Sequence, residues 1–292
     1  MQATINAKPT DTLVNSAISQ VGEIATLPEV TVKIIHVVEN PKSTARDLHE
    51  IIRNDPALAA RILKVVNSAF YGLPGQIASV DRAIVLLGLS AVKNIAIAAS
   101  MTRLFQSGSA IEGFNPVEVW RHSIAVGVAS RMISAAQGRP SVEESFLAGL
   151  IHDLGLLVVR QVYPRKLADI LAHVKTGNKS WCQLETEIIG ADHQAFGMAL
   201  ASKWRFTRTL CTAIGYHHNP EALSTENREL PTLVYVADTL ASRAGIGFSA
   251  TPAGQQFDAN TLGVIHISQA QIDKIAEELP SAVQTAEAIL QG

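Results

Sequence analysis

The sequence predicts an all-α protein, and three observations carry this prediction. Apolar residues recur at steps of three and four in most segments, which is the period of an α-helix. Alternating apolar and polar runs bounded by Asn-Gly or Asp-Gly turns, which are typical of β-hairpins, do not occur. Side chains that cap helix N-termini stand in front of many of the periodic segments.

Helix starts in the first half of the chain are marked by capping residues. A Ser or Asp at the N-cap accepts a hydrogen bond from a backbone N–H that would otherwise lack a partner, and Pro is tolerated at the first helical position. Gly72 and Gly88 are predicted to end helices, because glycine is common just past a helix C-terminus. Helices are predicted to start after Ser43, Asp55 with Pro56, Ser79 and Ser90.

The second half repeats these signals, and Gly155 and Gly190 are further predicted stops. The Gly-, Ala-, Ser- and Thr-rich stretch of residues 245–263 indicates a loop with weak structure of its own. The predicted starts are Asn115 with Pro116 (helix to about Ala136), Ser141 with Glu144 as a capping box, Ser180 (helix 181–189), Asp192 (helix to Trp204) and Ser268 with Gln271.

Length and composition indicate one large or two small globular domains with a sizeable interior. The chain has 292 residues, of which 47% are apolar and 17% charged. A typical charged share is roughly 25%, so disorder is excluded. Residues 107–113 indicate a boundary between two helical layers. We divide the chain into an N-terminal segment (1–18), an N-terminal helical layer (19–110), a second helical layer (111–245) and a C-terminal loop with helices packed on it (246–292).

Charge and hydropathy exclude several classes of partner. The net charge of −2 and the lack of a Lys/Arg-rich block argue against nucleic acid. The most apolar stretch, residues 83–99, contains Lys93 and is shorter than the roughly 20 residues that span a bilayer. Residues 1–20 lack the apolar run of an export signal, and Cys182 and Cys211 are expected to be reduced. We expect a cytoplasmic protein with no membrane and no nucleic-acid partner.

Several polar residues stand where an ordinary helical core would not place them. Asp238 lies in the middle of an apolar helix, and the doublet of His152 and Asp153 follows another. A buried carboxylate is costly unless a cation or hydrogen-bond donors compensate it. Capping contacts could compensate the doublet, and structural roles remain open for the other candidates, which are His193 after Asp192 and the pair His217 and His218.

Glu118 and His122 lie four residues apart, so their side chains share one helical face and could reach the same ion. Glu118 has a second interpretation, in which it completes a capping box with Asn115. Nitrogen and oxygen donors of this kind suit iron, manganese or zinc, and Asp153 could bridge two ions. The candidate metal ligands are Glu118, His122, His152, Asp153, His193, His217, His218 and Asp238.

The order of His122, the doublet at 152–153 and Asp238 resembles the HD superfamily of metal-dependent phosphohydrolases. Further blocks are similar to the HDOD family, the HD-related output domain of bacterial signalling proteins. The resemblance implies a multi-helix HD-like bundle with an N-terminal helical layer, and a place in signal transduction. Its blocks are Leu27–Val30, Asn40–Pro41, Asp55–Leu58, Asn67–Gly72 and Ala83–Gly88.

The eight candidate ligands also match, residue by residue, the order found in the metal-binding HD-GYP phosphodiesterases. The resemblance therefore implies one or two divalent metal ions, Fe or Mn first and Zn as the alternative. Two departures argue against inherited turnover. Leu156 stands where the active relatives have Lys, and Asn219 and Pro220 stand where those enzymes continue toward a Gly-Tyr-Pro motif.

Two functional hypotheses remain at this point. In the leading one, the chain is an HDOD signalling module that binds metal and acts through contacts with a signalling protein partner. In the alternative, it is a metal-dependent phosphohydrolase acting on a nucleotide or a cyclic dinucleotide, with Asp153 in the catalytic centre and a metal-activated water attacking phosphorus. A metal-free helical scaffold is a variant of the first hypothesis.

Overall fold

The computed structural model describes residues 9–22, 29–39, 42–68, 73, 75–106, 111–139, 142–174, 177 and 179–290. These residues form helices without a β-strand, and an isolated bridge joins Ile111 and Phe114. The all-α prediction is confirmed. The helices are α1 (Pro9–Gln20), α2 (Glu29–Glu39), α3 (Ala45–Arg53), α4 (Pro56–Val66), α5 (Val80–Leu87), α6 (Leu89–Gln106), α7 (Pro116–Ala136), α8 (Val142–Ile151), α9 (Leu154–Val162), α10 (Pro164–Val174), α11 (Trp181–Ile188), α12 (His193–Lys203), α13 (Arg208–Tyr216), α14 (Glu229–Arg243), α15 (Ala259–Val264) and α16 (Gln269–Leu290).

Most of the predicted caps that fall on described residues are confirmed. Ser268 and Gln271 form the predicted reciprocal pair at the start of α16. The Ser141 cap and the Gly72 stop lie outside the described residues. Side-chain oxygens accept backbone N–H bonds at Asp55, Ser79, Asn115, Ser180 and Asp192.

Three predicted helix boundaries are wrong. The N-cap of α3 is Thr44 rather than Ser43, and its backbone N–H donates to Asp47 over 2.7 Å. Ser90 lies inside the first turn of α6, because Gly88, with a φ of 89°, turns the chain directly from α5 into α6. Gly155 lies within α9 and does not end a helix.

Gly155 is required by close packing between two helices. A Cβ atom at this position would lie 1.8 Å from the carbonyl oxygen of His193 and 2.8 Å from the backbone nitrogen of Gly197. Helix α9 therefore packs backbone to backbone against α12, which no other residue type would permit. This contact places the start of α12 beside the turn that precedes α9.

The N-terminal layer is built around α6. Helices α2, α4 and α5 pack on α6, and α6 in turn contacts α7 and α8 of the second layer. The short helices bury one apolar face each, as Leu48 and Ile52 of α3 and Leu58 and Ile62 of α4 illustrate. Helix α1 packs instead against α9 and α12. The proposed four-part division of the chain stays a prediction.

Helix α7 is the central element of the second layer. It contacts α6, α8, α14 and α16 and is buried over most of its surface. Close packing against α8 depends on Gly149, where a Cβ atom would lie 2.6 Å from the carbonyl oxygen of Val126. The polar residues His122, Ser123, Ser130 and Ser134 of α7 are therefore buried against neighbouring helices.

The most apolar stretch of the sequence, residues 83–99, is divided between α5 and α6. Among the described helices, none combines the length and the apolar character that crossing a bilayer requires.

The stretch of residues 245–263 is only partly the loop that we predicted. Its last part forms α15, which Asp258 caps by accepting the backbone N–H of Thr261 over 2.8 Å. Residues 245–258, which we call the closing segment, lie against α7, and the backbone N–H of Phe248 donates to the carbonyl of Glu118 over 2.9 Å. Gly247, with a φ of 70°, fits here because a Cβ atom would lie 2.4 Å from the backbone nitrogen of His122.

Candidate metal centre

Seven of the eight predicted ligand residues meet at one buried point in the second layer. Two lie within helices, on α7 and α14, and the other five lie at helix ends or in turns. We call this set the His/Asp cluster. Its members are His122, His152, Asp153, His193, His217, His218 and Asp238.

Local structure explains why the cluster residues at helix ends and in turns face inward. Helix α8 ends at Ile151 and α9 begins at Leu154, so the His152–Asp153 doublet forms the turn between them. Asp153 occupies the N-cap of α9 without making a side-chain cap bond, which leaves its carboxylate free for the cluster. His193 is the first residue of α12 because Asp192 takes the cap, and the 217–218 pair follows α13.

The cluster is sealed from solvent except at one residue. Six of the seven side chains have no exposed surface. His218 is the exception, with 7% of its side chain exposed. The imidazoles and carboxylates therefore interact in a medium of low dielectric constant, where unpaired polar groups are costly.

One half of the cluster contains three imidazoles around one carboxylate oxygen, and we call it the His-rich half. It consists of Asp153, His193, His217 and His218. The Nε2 atom of His193 lies 3.3 Å from that of His217 and 3.1 Å from that of His218. Oδ1 of Asp153 lies 3.2 Å from Nε2 of His193 and 3.6 Å from Nε2 of His217.

The other half combines two imidazoles with two carboxylates, and we call it the paired-Asp half. Its members are His122, His152, Asp153 and Asp238. Nε2 of His152 lies 3.3 Å from Oδ2 of Asp153, and Nε2 of His122 lies 2.8 Å from Oδ1 of Asp238. Asp153 thus presents one carboxylate oxygen to each half.

All five imidazoles have an oxygen acceptor at Nδ1, on the side away from the centre of the cluster. Carbonyl and carboxylate oxygens cannot donate, so a proton on each Nδ1 satisfies them and leaves the inward-facing Nε2 lone pair available to a metal ion. At His122 the Nε2 atom also has a carboxylate acceptor, Oδ1 of Asp238, over 2.8 Å. The Nδ1 partners are Ile246 O for His122 (3.3 Å), Gly149 O for His152 (2.7 Å), Glu185 Oε2 for His193 (2.6 Å), Ile214 O for His217 (2.8 Å) and Gln255 Oε1 for His218 (3.2 Å).

This arrangement fits bound metal ions. Converging lone pairs repel one another unless a cation lies between them, and Nε2 of His152 and Oδ1 of Asp153 are buried without a hydrogen-bond partner. Metal–ligand bonds of about 2.1 Å place neighbouring donor atoms about 3.0–3.4 Å apart. The separations of 3.1–3.3 Å between Nε2 atoms in the His-rich half fall within that range.

At three groups of the cluster, the ionisation state also favours binding of a metal ion. Burial would raise the pKa of the Asp153 carboxyl, but the charge of His152 and the close imidazoles of His193 and His217 hold that pKa well below its usual range. Burial lowers the pKa of His217 to about 4. The pKa of His218 is also well below normal, because of burial and then of its imidazole neighbours. An ionised carboxylate and neutral imidazoles are the forms that bind metals. Burial would lower the pKa values of His152 and His193, but Asp153 and Glu185 raise them, so these two imidazoles would release protons when a metal ion binds.

Glu118 lies apart from the cluster. It is half-buried one turn before His122, and its side chain lines a separate surface cavity with Asn115 and Phe248. Among the described residues it is not in any of the compact groups of potential ligand atoms. The cap of α7 is the bond from Val117 N–H to Asn115, and no bond completing the alternative capping box is described. Ligation by Glu118 stays a prediction.

Three polar side chains that our sequence reasoning missed contact the cluster. Glu185 of α11 is fully buried beside His193. In the closing segment, Gln255 donates to Oδ2 of Asp238 over 3.1 Å, and Thr251 donates to Oδ2 of Asp153 over 3.4 Å. Glu185 could have been found as an acid on the apolar face that carries Trp181, whereas the irregular closing segment has no periodicity to signal its contacts.

A surface cavity of about 260 Å³ adjoins the cluster at His218. Tyr235 and Arg228 also line it, and Nε of Arg228 is buried without a described partner. The Tyr235 hydroxyl donates to the carbonyl of Gln256 over 2.6 Å and so ties the closing segment to the cavity wall. His218 is therefore the member of the cluster that a ligand in this cavity would meet.

Two solved structures share the fold. An HDOD domain protein of unknown function from Geobacter sulfurreducens is 25% identical, with a TM-score of 0.77 over 95% of this chain and 96% of that chain. A candidate phosphohydrolase from Shewanella amazonensis is 23% identical, with a TM-score of 0.73 over 95% of this chain and 98% of that chain.

Sequence comparison gives a relative and a family. An uncharacterised protein of Treponema pallidum is 26% identical over 230 residues, which is 78% of this chain, and the chain spans only 44% of that relative. Residues 24–220 match the HDOD domain, and this range contains the doublet at 152–153, His193 and the 217–218 pair. The chain therefore belongs to the HDOD family.

Proposed function

We propose that this protein is a metal-binding HDOD signalling module, which holds two divalent metal ions in its His/Asp cluster and acts through contacts with a signalling protein partner. The observation that carries the proposal is the inward convergence of five imidazole Nε2 atoms around Asp153, which offers one oxygen to each half.

The His-rich half would hold one ion and the paired-Asp half the other, with Asp153 shared between them. Imidazole donors suit iron and zinc, and the two carboxylates add preference for manganese, so we assign Fe or Mn first and Zn as the alternative. A divalent ion bound here would supply a Lewis acid and a fixed positive charge. The Nδ1 hydrogen bonds hold the imidazoles in orientation, and Thr251 and Gln255 of the closing segment shield both carboxylates from water.

A signalling role is supported by the burial of the His/Asp cluster and by the side chains that surround it. Leu156 is fully buried at the position where active HD-GYP relatives have a phosphate-facing Lys. Thr251 and Gln255 of the closing segment occupy hydrogen-bond positions at Oδ2 of Asp153 and Oδ2 of Asp238. Metal in such a centre would stabilise one arrangement of the helices, and a partner protein would read that arrangement.

Elemental analysis tests the metal site. Protein purified without a histidine tag, and then loaded with Fe(II) or Mn(II), should retain close to two ions per chain. Asp153→Asn should lose both ions, because that side chain serves both halves. His173→Gln is the matched control, since His173 is exposed on α10. Fewer than about 0.2 ions per chain in the loaded wild-type protein would refute the site, since ligand sets of this kind bind metal tightly.

The cavity beside His218 favours one alternative, which is a metal-dependent phosphohydrolase acting on a nucleotide or a cyclic dinucleotide. Arg228 lines this cavity, its buried Nε has no described hydrogen-bond partner, and a guanidinium is suited to a phosphate group. A panel of nucleotides and cyclic dinucleotides incubated with fully metallated protein distinguishes the two functions. Turnover that disappears in Asp153→Ala would establish the enzyme, and its absence from a fully loaded sample supports the signalling module.

A further inference from the structure

Glu185 is a buried carboxylate that makes contacts to a single residue of the cluster. It lies on α11 with no exposed surface, and its Oε2 accepts two hydrogen bonds from His193. One comes from the imidazole Nδ1 over 2.6 Å and the other from the backbone N–H over 2.8 Å. The side chain therefore fixes both the ring and the helix start of His193.

The surroundings of Glu185 make this contact unusual. Its Oε1 is buried without a hydrogen-bond partner, and no Lys or Arg contact to it is described. Cys182 is the other potential ligand residue close to it. Burial raises the pKa of the Cys182 thiol to about 12, so the thiol stays neutral, and it has no cationic form that could balance the carboxylate. A carboxylate buried in this way needs positive charge nearby, and among the described residues the His193 ring is the group that links it to the proposed metal ions.

His193 also differs from the other imidazoles of the cluster. The remaining four donate Nδ1–H to neutral oxygens of the backbone or of Gln255, whereas His193 donates to an ionisable carboxylate. A carboxylate at Nδ1 fixes the tautomer and raises the basicity of Nε2, which strengthens a metal–imidazole bond.

We infer that Glu185 is a positioning residue which makes the His-rich half the tighter of the two metal sites. The inference rests on the proposed function, because it assumes that both halves bind metal. It assigns the unequal affinity to one carboxylate outside the ligand set.

Metal-free protein titrated with Co(II) in equilibrium dialysis, with elemental counting, tests this inference. Wild-type protein should bind two ions with different affinities. Glu185→Ala should weaken one site by about 10–100-fold and leave the other unchanged. Glu185→Gln should cause a smaller loss, since the amide oxygen still accepts the His193 proton without carrying charge. Glu187→Gln is the control, because Glu187 lies two residues away on α11 in an exposed ion pair with Lys179.

A His122→Gln background identifies which half is affected. This change should abolish the paired-Asp site and leave the His-rich site, whose affinity can then be measured alone with and without Glu185→Gln. A loss confined to the His-rich site supports the inference. Wild-type affinities in both Glu185 variants, or equal weakening of both sites, would overturn it. If the wild-type protein binds no Co(II), the proposed function fails instead, so the two failures are distinguishable.

Discussion

The N-terminal layer and the second layer are both helical, but they bury different kinds of side chain. In the N-terminal layer, α3 and α4 bury Leu48 and Leu58, and a buried polar contact there joins two neutral hydroxyls, Thr31 and Ser100, over 2.7 Å. The second layer buries ionisable residues, such as the His122–Asp238 pair at 2.8 Å.

The two layers are therefore stabilised in different ways. An apolar core is stabilised by removal of its surface from water, and each side chain contributes largely independently of distant ones. Buried carboxylates and imidazoles are stable only when every charge is compensated, so their contributions depend on one another and on a bound cation. The first layer should therefore tolerate a single substitution locally, whereas the second should lose its site as a unit.

The largest effect is expected from Gly155→Ala in the second layer. The added Cβ collides with the backbone at His193, so α9 and α12 must separate, at a cost of about 3 kcal/mol or more in the free energy of unfolding. The number of metal ions retained per chain should fall together with the stability. Urea denaturation and metal counting measure both. Gly263→Ala is the control, because its added Cβ enters open space. Equal effects of the two changes would contradict this packing argument.

Leu58→Ala should destabilise the N-terminal layer without affecting metal binding by the His/Asp cluster. Leu58 is fully buried on α4, and its truncation should lower the free energy of unfolding by about 2–5 kcal/mol. The number of metal ions per folded chain should stay unchanged. Val85→Ala, at a position 73% exposed in the same layer, should change stability by less than about 0.5 kcal/mol. A loss of metal in folded Leu58→Ala would mean that the layers are energetically coupled.

Metal removal sharpens the comparison further. A ligand present at 100 times its dissociation constant stabilises the folded state by about 2.7 kcal/mol, so chelation should lower the free energy of unfolding by about that amount for each ion removed. Asp153→Asn should show no response to the chelator. Hydrogen exchange should locate the loss of protection in α8, α9 and α12 and leave α3 and α4 unaltered. A uniform loss across both layers would argue against a local role of the metal.

The smallest effect is expected from Glu118→Gln. Because the Glu118 side chain lines a separate cavity, stability should change by less than about 0.5 kcal/mol and metal content should not change. Asp238→Asn provides the contrast, since it should cost the ion of the paired-Asp half. Loss of metal in Glu118→Gln would restore that residue to the ligand set.

Helix starts could be predicted from the sequence where a local rule applies. The caps at Asp55, Asn115 and Asp192 follow from hydrogen bonding within four residues, and the structure confirms them. Asp238 was recognised because a carboxylate interrupts an apolar helix. Gly155 was misread, since a glycine that ends a helix and one that admits a neighbouring helix look alike until the neighbour is known.

The amino-acid sequence by itself determined the all-α class, most helix starts and seven of the residues that meet in the cluster, because periodicity, capping and misplaced charge are local properties. Tertiary structure alone decided that Glu185 and Gln255 contact those residues, that Glu118 lies outside, and that each Nε2 faces inward. These outcomes depend on contacts between segments far apart in the chain, and such distances are fixed only when the helices pack.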